Sequence, residues 1–218
     1  MPATEAQTST EARNHYAFTP TVKAIQARKG SRDSYQRMEE QRPWNATVTP
    51  DLAAFIAAQT SFFMATATAD GQPYIQHRGG PAGFLHVLDE KTLAFADFAG
   101  NRQYLTQGNL ADNPKAHLFL IDYVNRQRIK IWGIARVVEN DPELLARLMP
   151  RGYKARPEQV IVFTITAWDS NCPQHIPQMF FAEDIVKAVD ELKERIAQLE
   201  AENAELRAAQ DREKQERK

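Results

Sequence analysis

The feature that most constrains the fold is a series of short strand-forming segments, separated by turns, in the middle of the chain. The first segment, 61–68 (SFFMATAT), is rich in residues that favour strands. Ala69-Asp70-Gly71 follows it, and glycine supplies the positive φ that a tight hairpin needs. Six or seven such strands, joined mostly by hairpins, predict a mainly β (α+β) chain with an antiparallel barrel, rather than a parallel sheet with crossover helices. The other predicted strands are 73–77, 83–88, 92–97, 116–123, 127–139 and 159–168.

Helical segments flank the predicted strands. Thr49 can cap a helix with its hydroxyl, and Pro50 suits the first helical position, so we expect a helix over 49–58. Further helical patterns lie at 21–38, 102–110 and 141–149. We therefore expect three regions, which are a polar and partly helical N-terminal extension (1–48), a barrel domain (49–180) and a C-terminal coiled-coil helix (181–218).

The C-terminal segment has a seven-residue repeat of apolar residues. Branched residues at the a positions and leucines at the d positions favour two parallel helices, and a single Asn at an a position fixes their register. The flanking charges agree, because Arg195 would face Glu200 of a partner and Glu202 would face Arg207. A solitary charged helix is the alternative. The d positions are Ile185, Leu192, Leu199 and Leu206, and the a positions are Val189, Ile196, Asn203 and Gln210.

Composition argues against several classes of function. A net charge of −1 gives no overall field that would attract nucleic acid or an acidic membrane. No apolar run approaches the roughly 18 residues that span a bilayer, and the N-terminal segment lacks the apolar stretch of a secretory signal. The single cysteine, Cys172, fits a reducing compartment, so we expect a cytoplasmic protein with no nucleic-acid or membrane partner. The 5 histidines show no metal-ligand spacing, and no metal is expected.

Three clusters have the composition of a ligand site. RGGPAGF (78–84) combines an arginine fork for phosphate with glycines that let a backbone approach a ligand. DFAGNRQ (97–103) lies where a strand ends and a helix begins, so free N–H groups and a basic side chain would form an anion cradle. In RQRIKIWG (126–133), alternation along a strand places Arg126, Arg128 and Lys130 on one face. The alternatives are a plain turn, a helix cap with a solvated arginine, and a solvent-facing cationic row.

These clusters resemble the pyridoxamine 5′-phosphate oxidase family of FMN-binding split barrels. The resemblance is carried by LAFADFAGNRQ, NPKAHLFLID and RQRIKIWG within 93–133, and RGGPAGF, GNRQ and NCPQHIP point to a flavin-nucleotide-binding branch of unassigned substrate. It implies a split β-barrel with flanking helices, and FMN held between the two subunits of a homodimer. The family's phosphate-binding Arg-Lys pair falls on Arg102 and Gln103, and its flavin-contacting glutamine falls on Arg128.

The resemblance and the clusters together define a candidate FMN site. Arg102 and Arg78, with main-chain N–H groups, would neutralise the phosphate, while Arg128 or Lys130 would tune the flavin ring and Trp168 would stack near it. The full set of candidate cofactor-binding residues is Arg78, Gly80, Ala82, Gly83, Phe84, Ala96, Asp97, Asn101, Arg102, Gln103, Arg128, Lys130 and Trp168.

The function that the resemblance implies is that of an FMN-dependent oxidoreductase acting on an unknown small substrate. Pyridoxamine phosphate itself is not expected, because the oxidase's C-terminal basic segment is replaced here by DSNCPQH (169–175). A non-catalytic flavin carrier or sensor and a haem-binding module are the alternative functions, and a deazaflavin is the alternative cofactor. Cys172 and His175 have the chemistry of a thiolate and a base, or they line the flavin pocket; no third orienting group is evident, and no catalytic residue is assigned.

Overall fold

The computed structural model describes residues 16–171 and 173–217. The helices found there are α1 (Pro20–Lys29), α2 (Arg32–Gln41), α3 (Pro50–Ala58), α4 (Leu105–Asp112), α5 (Pro142–Leu148) and α6 (Ala182–Glu216). The strands are β1 (Ser61–Ala67), β2 (Pro73–Gly79), β3 (His86–Val87), β4 (Thr92–Phe98), β5 (Lys115–Asp122), β6 (Gln127–Val138) and β7 (Pro157–Asn171). The predicted mainly β, α+β fold is confirmed.

The strands form one antiparallel sheet in the order β2-β1-β5-β6-β7-β4-β3. Hairpins join β1 to β2, β3 to β4 and β5 to β6, as predicted. The two ends of this sheet approach each other, because Phe62 on β1 and Phe95 on β4 have ring centroids 5.2 Å apart although three strands lie between them. The sheet therefore curls into a barrel that is closed on this side by side chains.

The barrel interior is filled by apolar side chains from alternate positions of its strands. On β1, Phe62 and Met64 are fully buried while their neighbours are half-buried. Leu118 of β5 faces the same interior, and Leu52 and Ile56 of α3 pack into the same cluster. Burying each such side chain contributes about 1.5–3 kcal/mol relative to leaving it exposed.

The predicted strand over 83–88 is wrong in extent, since only its last part forms β3. The Phe84 N–H donates to the Pro81 carbonyl at 3.0 Å, and Gly83 has a φ of 83°, so these residues form a turn. Phe84 and Leu85 are nevertheless buried. Their apolar character therefore indicates burial in the core rather than pairing in the sheet.

The N-terminal region contains two helices where one was predicted. Gly30 has a φ of 78° and ends α1, because a residue in the left-handed region does not continue a right-handed helix. The Thr49 hydroxyl caps α3 by accepting from the Leu52 N–H at 3.2 Å, as predicted. Residues 1–15 of the expected extension lie outside the described residues.

The chain divides into two compact units. The first contains the sheet with α1 to α5, and the second contains Pro177–Lys218, with α6, together with Tyr123–Asn125. Within the second unit, the Met179 N–H donates to the Tyr123 carbonyl at 3.2 Å. The domain boundaries expected after residues 48 and 180 stay predictions. Among the described residues, no helix is both long and apolar enough to cross a bilayer.

Candidate functional site

A cleft lies between β2, the loop that follows β4 and the start of β7. Five candidate residues line it, namely Arg78, Asp97, Asn101, Arg102 and Gln103. Other residues that line the cleft were not predicted from the sequence, among them Gln76, Tyr104, Glu158 and Gln159. Tyr104 directly follows the DFAGNRQ motif, whereas Gln76, Glu158 and Gln159 lie on strands that are distant along the chain and that no local motif connects to the cleft. Gln159, for example, stands opposite Asp97 in the register of β4 and β7.

Arg78 and Asp97 form a buried ion pair in this cleft, with side chains 13% and 12% exposed. The Arg78 Nη1 donates to one carboxylate oxygen of Asp97, and the Gln159 Nε2 donates to the other at 2.9 Å. The guanidinium also lies 5.9 Å from the centre of the Phe95 ring. Among the described residues, the buried Nε of Arg78 has no hydrogen-bond partner. The charge of Arg78 is therefore already paired, while one of its donors remains for a ligand.

Arg102 is held much more loosely than Arg78. Its Nε donates to the Tyr104 hydroxyl at 2.9 Å and lies 4.0 Å from a Glu158 carboxylate oxygen. The hydrogen bond to Tyr104 raises the pKa of the Arg102 guanidinium, and the nearby Glu158 carboxylate adds to this rise. The Arg102 side chain is 66% exposed, so its charge is accessible to a ligand.

The loop that carries Arg102 is strained. Arg102 and Tyr104 have φ values of 60° and 55°, and the left-handed region costs a non-glycine residue roughly 1–2 kcal/mol. The helix predicted over 102–110 therefore begins only at Leu105. Tyr104 is the N-cap residue of α4, and its side chain makes no capping hydrogen bond to the first N–H groups of the helix. Arg102 thus stands beside a helix start that carries a partial positive charge.

A second recess adjoins the cleft and is lined by four of the candidate residues, Arg78, Phe84, Ala96 and Asp97. Gly80 belongs to the turn before Phe84, where a Cβ would lie 2.7 Å from the Phe84 Cγ, so a side chain at this position would displace the phenyl ring. Ala82 and Gly83 are in the same turn and line neither the cleft nor this recess.

Arg128 and Lys130 lie on the other face of the sheet from Arg78. Lys130 shares a row with Phe63 through β5, whereas Arg78 is paired with the core residue Phe62. Arg128 precedes Lys130 by two positions on β6 and has the same orientation. Because residues paired across a sheet share a face, these cations and the cleft of the same chain are on different sides.

Lys130 and Trp168 have partners of their own. The Lys130 Nζ lies 3.9 Å from a carboxylate oxygen of Asp169 and 5.6 Å from the centre of the Trp132 ring. Burial raises the pKa of the Asp169 carboxyl, and the charge of Lys130 opposes that rise. The Trp168 indole N–H donates to the Thr47 carbonyl at 2.8 Å, and the ring packs against the core. Neither Lys130 nor Trp168 lines the cleft.

The interpretation of Cys172 and His175 as a reactive pair stays a prediction, because Cys172 lies outside the described residues. His175 is exposed and has a φ of 64°. Within the described part of the chain, no group of three or more His, Cys, Asp or Glu side chains could hold a metal ion.

The curled antiparallel sheet and its cleft define a split-barrel protein of the α+β class. Residues 48–172, more than half of the chain, match the sequence model of the pyridoxamine 5′-phosphate oxidase family, and the chain belongs to this family. The resemblance found in the sequence is thereby confirmed. Proteins of this family are typically dimeric.

Solved structures of several kinds are similar to this chain. HupZ of Group A Streptococcus is 19% identical, with a TM-score of 0.48, over 61% of this chain and 99% of that chain. An FMN-binding protein from Syntrophomonas wolfei is 13% identical, with a TM-score of 0.43, over 66% and 96%. HutZ of Vibrio cholerae, described as a heme storage protein, is 15% identical, with a TM-score of 0.37, over 53% and 87%. No curated protein matches the chain. Similarity at these identities concerns the fold alone.

Proposed function

We propose that this chain is a cytoplasmic FMN-binding protein that acts, as a homodimer, as an FMN-dependent oxidoreductase on a small substrate. The observation that carries the proposal is the donor set of the cleft, which combines the accessible Arg102, the start of α4 and the Nε of Arg78, which has no partner among the described residues. Such donors favour a phosphate ester. Membership of the family supports FMN as that ester, and the single cysteine fits a reducing compartment.

The charges of the cleft decide how a phosphate could be held. The positive charges of Arg78 and Arg102 are matched in number by the negative charges of Asp97 and Glu158, so the ionised side chains that line the cleft have no net charge. The ion pair between Arg102 and Glu158 is long and exposed, and such pairs contribute at most about 1 kcal/mol to stability. A phosphate can therefore replace Glu158 as the partner of Arg102. The pair of Arg78 with Asp97 is buried and persists. The residues present therefore fit a phosphate bound by Arg102 and main-chain N–H groups, with the Arg78 Nε as a further donor.

When bound, FMN would supply the hydride and electron transfer. The chain's own residues would bind and orient FMN. Arg102 and the start of α4 fix the phosphate end, and the network of Arg78, Asp97 and Gln159 holds the adjoining ends of β2, β4 and β7 together. Phe95, whose ring centre lies 5.9 Å from the Arg78 guanidinium, is 1% exposed and excludes water beside it, which strengthens the electrostatic interactions of this arginine.

The homodimer is part of the proposal because of where Arg128 and Lys130 lie. Both are on the outer face of β6, away from the cleft of their own chain. If they contact the flavin ring, as the resemblance implies, they do so from the other subunit. The dimers typical of the family support this arrangement.

The visible absorption spectrum of the purified protein, with the released chromophore identified by mass, tests the cofactor. We expect flavin bands at roughly 375 and 450 nm and the mass of FMN, or saturable uptake of added FMN by colourless protein. A haem spectrum, or no uptake of FMN, would contradict the proposal. Steady oxidation of NADH or NADPH by the holoprotein with an added electron acceptor would favour an enzyme, and FMN binding without any turnover would favour a carrier or sensor.

A further inference from the structure

The long C-terminal helix exposes its apolar residues. α6 runs over 35 residues, and every residue from 182 to 208 is exposed. Leu192 is 63% exposed and Leu206 is 65% exposed. Transfer of exposed leucine side chains from water into an apolar contact is favourable, so a helix that exposes leucines along its length favours binding to a partner that buries them.

The spacing of these residues selects a second helix of the same kind as the partner. The apolar residues of α6 recur every 3.5 residues on average, which is the period of a left-handed coiled coil rather than of a helix packed on a globular core. Val189 and Ile196 at a are β-branched, and Leu192 and Leu199 at d are leucines, a combination that favours two strands.

Asn203 decides the orientation of the two helices. In a parallel, in-register pair each a residue faces its own counterpart, so the two Asn203 amides can hydrogen-bond to each other. In an antiparallel pair a residues face d residues, and every d residue between 185 and 206 is Ile or Leu. Each Asn203 amide would then be buried without a partner, which costs roughly 1–3 kcal/mol. The parallel arrangement avoids this cost.

The charges beside the apolar seam are complementary in the same register. In a parallel pair, each g residue faces the e residue of the next heptad on the other helix. Arg195 at g then faces Glu200 of the second copy, and Glu202 at g faces Arg207 of the second copy. Because the two helices are identical, each of these two contacts occurs twice in the pair, and every one of them joins opposite charges. Such exposed pairs contribute little to stability but select the partner.

We propose that α6 pairs with α6 of a second copy of this chain as a parallel, in-register, two-stranded coiled coil whose register is set by Asn203. The proposal deepens the homodimer of the proposed function by naming a surface that joins the two copies. It does not depend on which group the cleft binds, because the residues that carry it belong to the second compact unit alone.

Cysteine cross-linking of the full chain tests this pairing. In a Cys172→Ser background, Ile196→Cys and Leu199→Cys are each oxidised under mild conditions and examined by non-reducing electrophoresis. A parallel in-register coil brings position 196 to 196 and 199 to 199, so most of each variant should become a covalent dimer. No antiparallel alignment of a with d residues brings either position to itself. Ala201→Cys, on the outward side of the helix, is the matched control and should stay monomeric.

The cross-linking results distinguish a parallel from an antiparallel pair. Self-linking at 196 and 199 but not at 201 supports the proposal. Absence of self-linking at both seam positions, or equal linking at 201, overturns it. A cross-link that forms only when Ile196→Cys protein is mixed with Leu199→Cys protein would identify an antiparallel pair and also overturn it.

A second variant tests the role of Asn203. With Asn203→Leu added to both cysteine proteins, the mixed 196–199 product should rise at least several-fold, because antiparallel pairing no longer buries an unpaired amide. An unchanged product pattern would remove Asn203 as the determinant of register. FMN titration of the same proteins reports on the cleft separately, so failure of the coil and failure of the proposed function can be distinguished.

Discussion

Arg78 and Asp97 join the two ends of the barrel sheet. β2, which carries Arg78, and β4, which carries Asp97, are separated by four strands in the sheet order, yet the guanidinium donates directly to the carboxylate. Gln159 of β7 completes the network by donating to the same carboxylate at 2.9 Å. One buried ion pair therefore closes the barrel beside the candidate site and also determines how much positive charge the cleft offers.

Removal of both partners of this pair should destabilise the fold less than the two single removals added together. Asp97→Asn leaves the Arg78 guanidinium buried without a counter-charge, which we expect to cost about 3 kcal/mol in the free energy of unfolding. The double variant Arg78→Met with Asp97→Asn should cost less than the sum of the two single variants, by roughly 1–3 kcal/mol. Urea unfolding of the four proteins measures this coupling. Additive losses would mean that the ion pair does not act as a unit.

Arg102 should contribute to FMN affinity only through the phosphate. Loss of a charge-assisted hydrogen bond costs about 1.5–3 kcal/mol, so Arg102→Ala should weaken FMN binding roughly 10- to 100-fold. Riboflavin has the same ring system but no phosphate, so its affinity should not change. Fluorescence titration with both ligands measures the ratio. Arg147→Ala, which removes an exposed arginine in the last turn of α5, is the control and should leave both affinities unchanged.

Equal weakening of FMN and riboflavin in the Arg102→Ala protein would contradict the assignment. It would mean that the substitution disturbs the strained loop as a whole. Arg102→Lys distinguishes charge from geometry, since lysine keeps the charge but lacks the planar fork of arginine. We expect this variant to recover part of the FMN affinity.

The strands could be predicted from the sequence because each one carries its own signals, namely β-branched and aromatic residues between turn residues. The cleft could be predicted only in part. Arg102 lies in a recognisable motif, whereas Gln159 is 62 residues away from Asp97 along the chain and meets it only through the register of β4 and β7. The separation of Arg128 and Lys130 from Arg78 likewise depends on strand pairing. The pattern of a single sequence indicates which side chains share a face of their own strand, but it does not indicate which strands are neighbours in the sheet.

Two glycines should respond in opposite directions to replacement by alanine. Gly133 lies at a register irregularity between β6 and β7, where a Cβ would be 2.2 Å from the Thr164 carbonyl oxygen and 2.4 Å from the Phe163 ring. Gly133→Ala should therefore destabilise the protein by about 3 kcal/mol or more, because the backbone must move. Gly108 is inside α4 and a Cβ there meets nothing within 4 Å, so Gly108→Ala should stabilise by about 0.5–1 kcal/mol. Thermal and urea unfolding measure both changes.

His117 should make the stability of the protein depend on pH on the acidic side of neutrality. Burial lowers the pKa of this imidazole from 6.5 to about 4, and the nearby Lys130 adds to the effect. The imidazole edge also contacts the Trp132 ring, with centroids 4.9 Å apart. The folded chain thus keeps His117 neutral in a range where the unfolded chain protonates it.

The direction of the effect follows from this difference. Above pH 6.5 His117 is neutral in both states, so its contribution to stability is complete. As the pH falls from 6.5 towards 4 the unfolded state gains a proton that the folded state does not, and up to about 3 kcal/mol is lost. His117→Phe keeps an aromatic ring against Trp132 but cannot titrate. Urea unfolding from pH 7 down to pH 4.5 should therefore show a smaller loss of stability for this variant than for the unaltered protein. Parallel losses would mean that His117 takes up its proton as readily in the folded chain as in the unfolded chain.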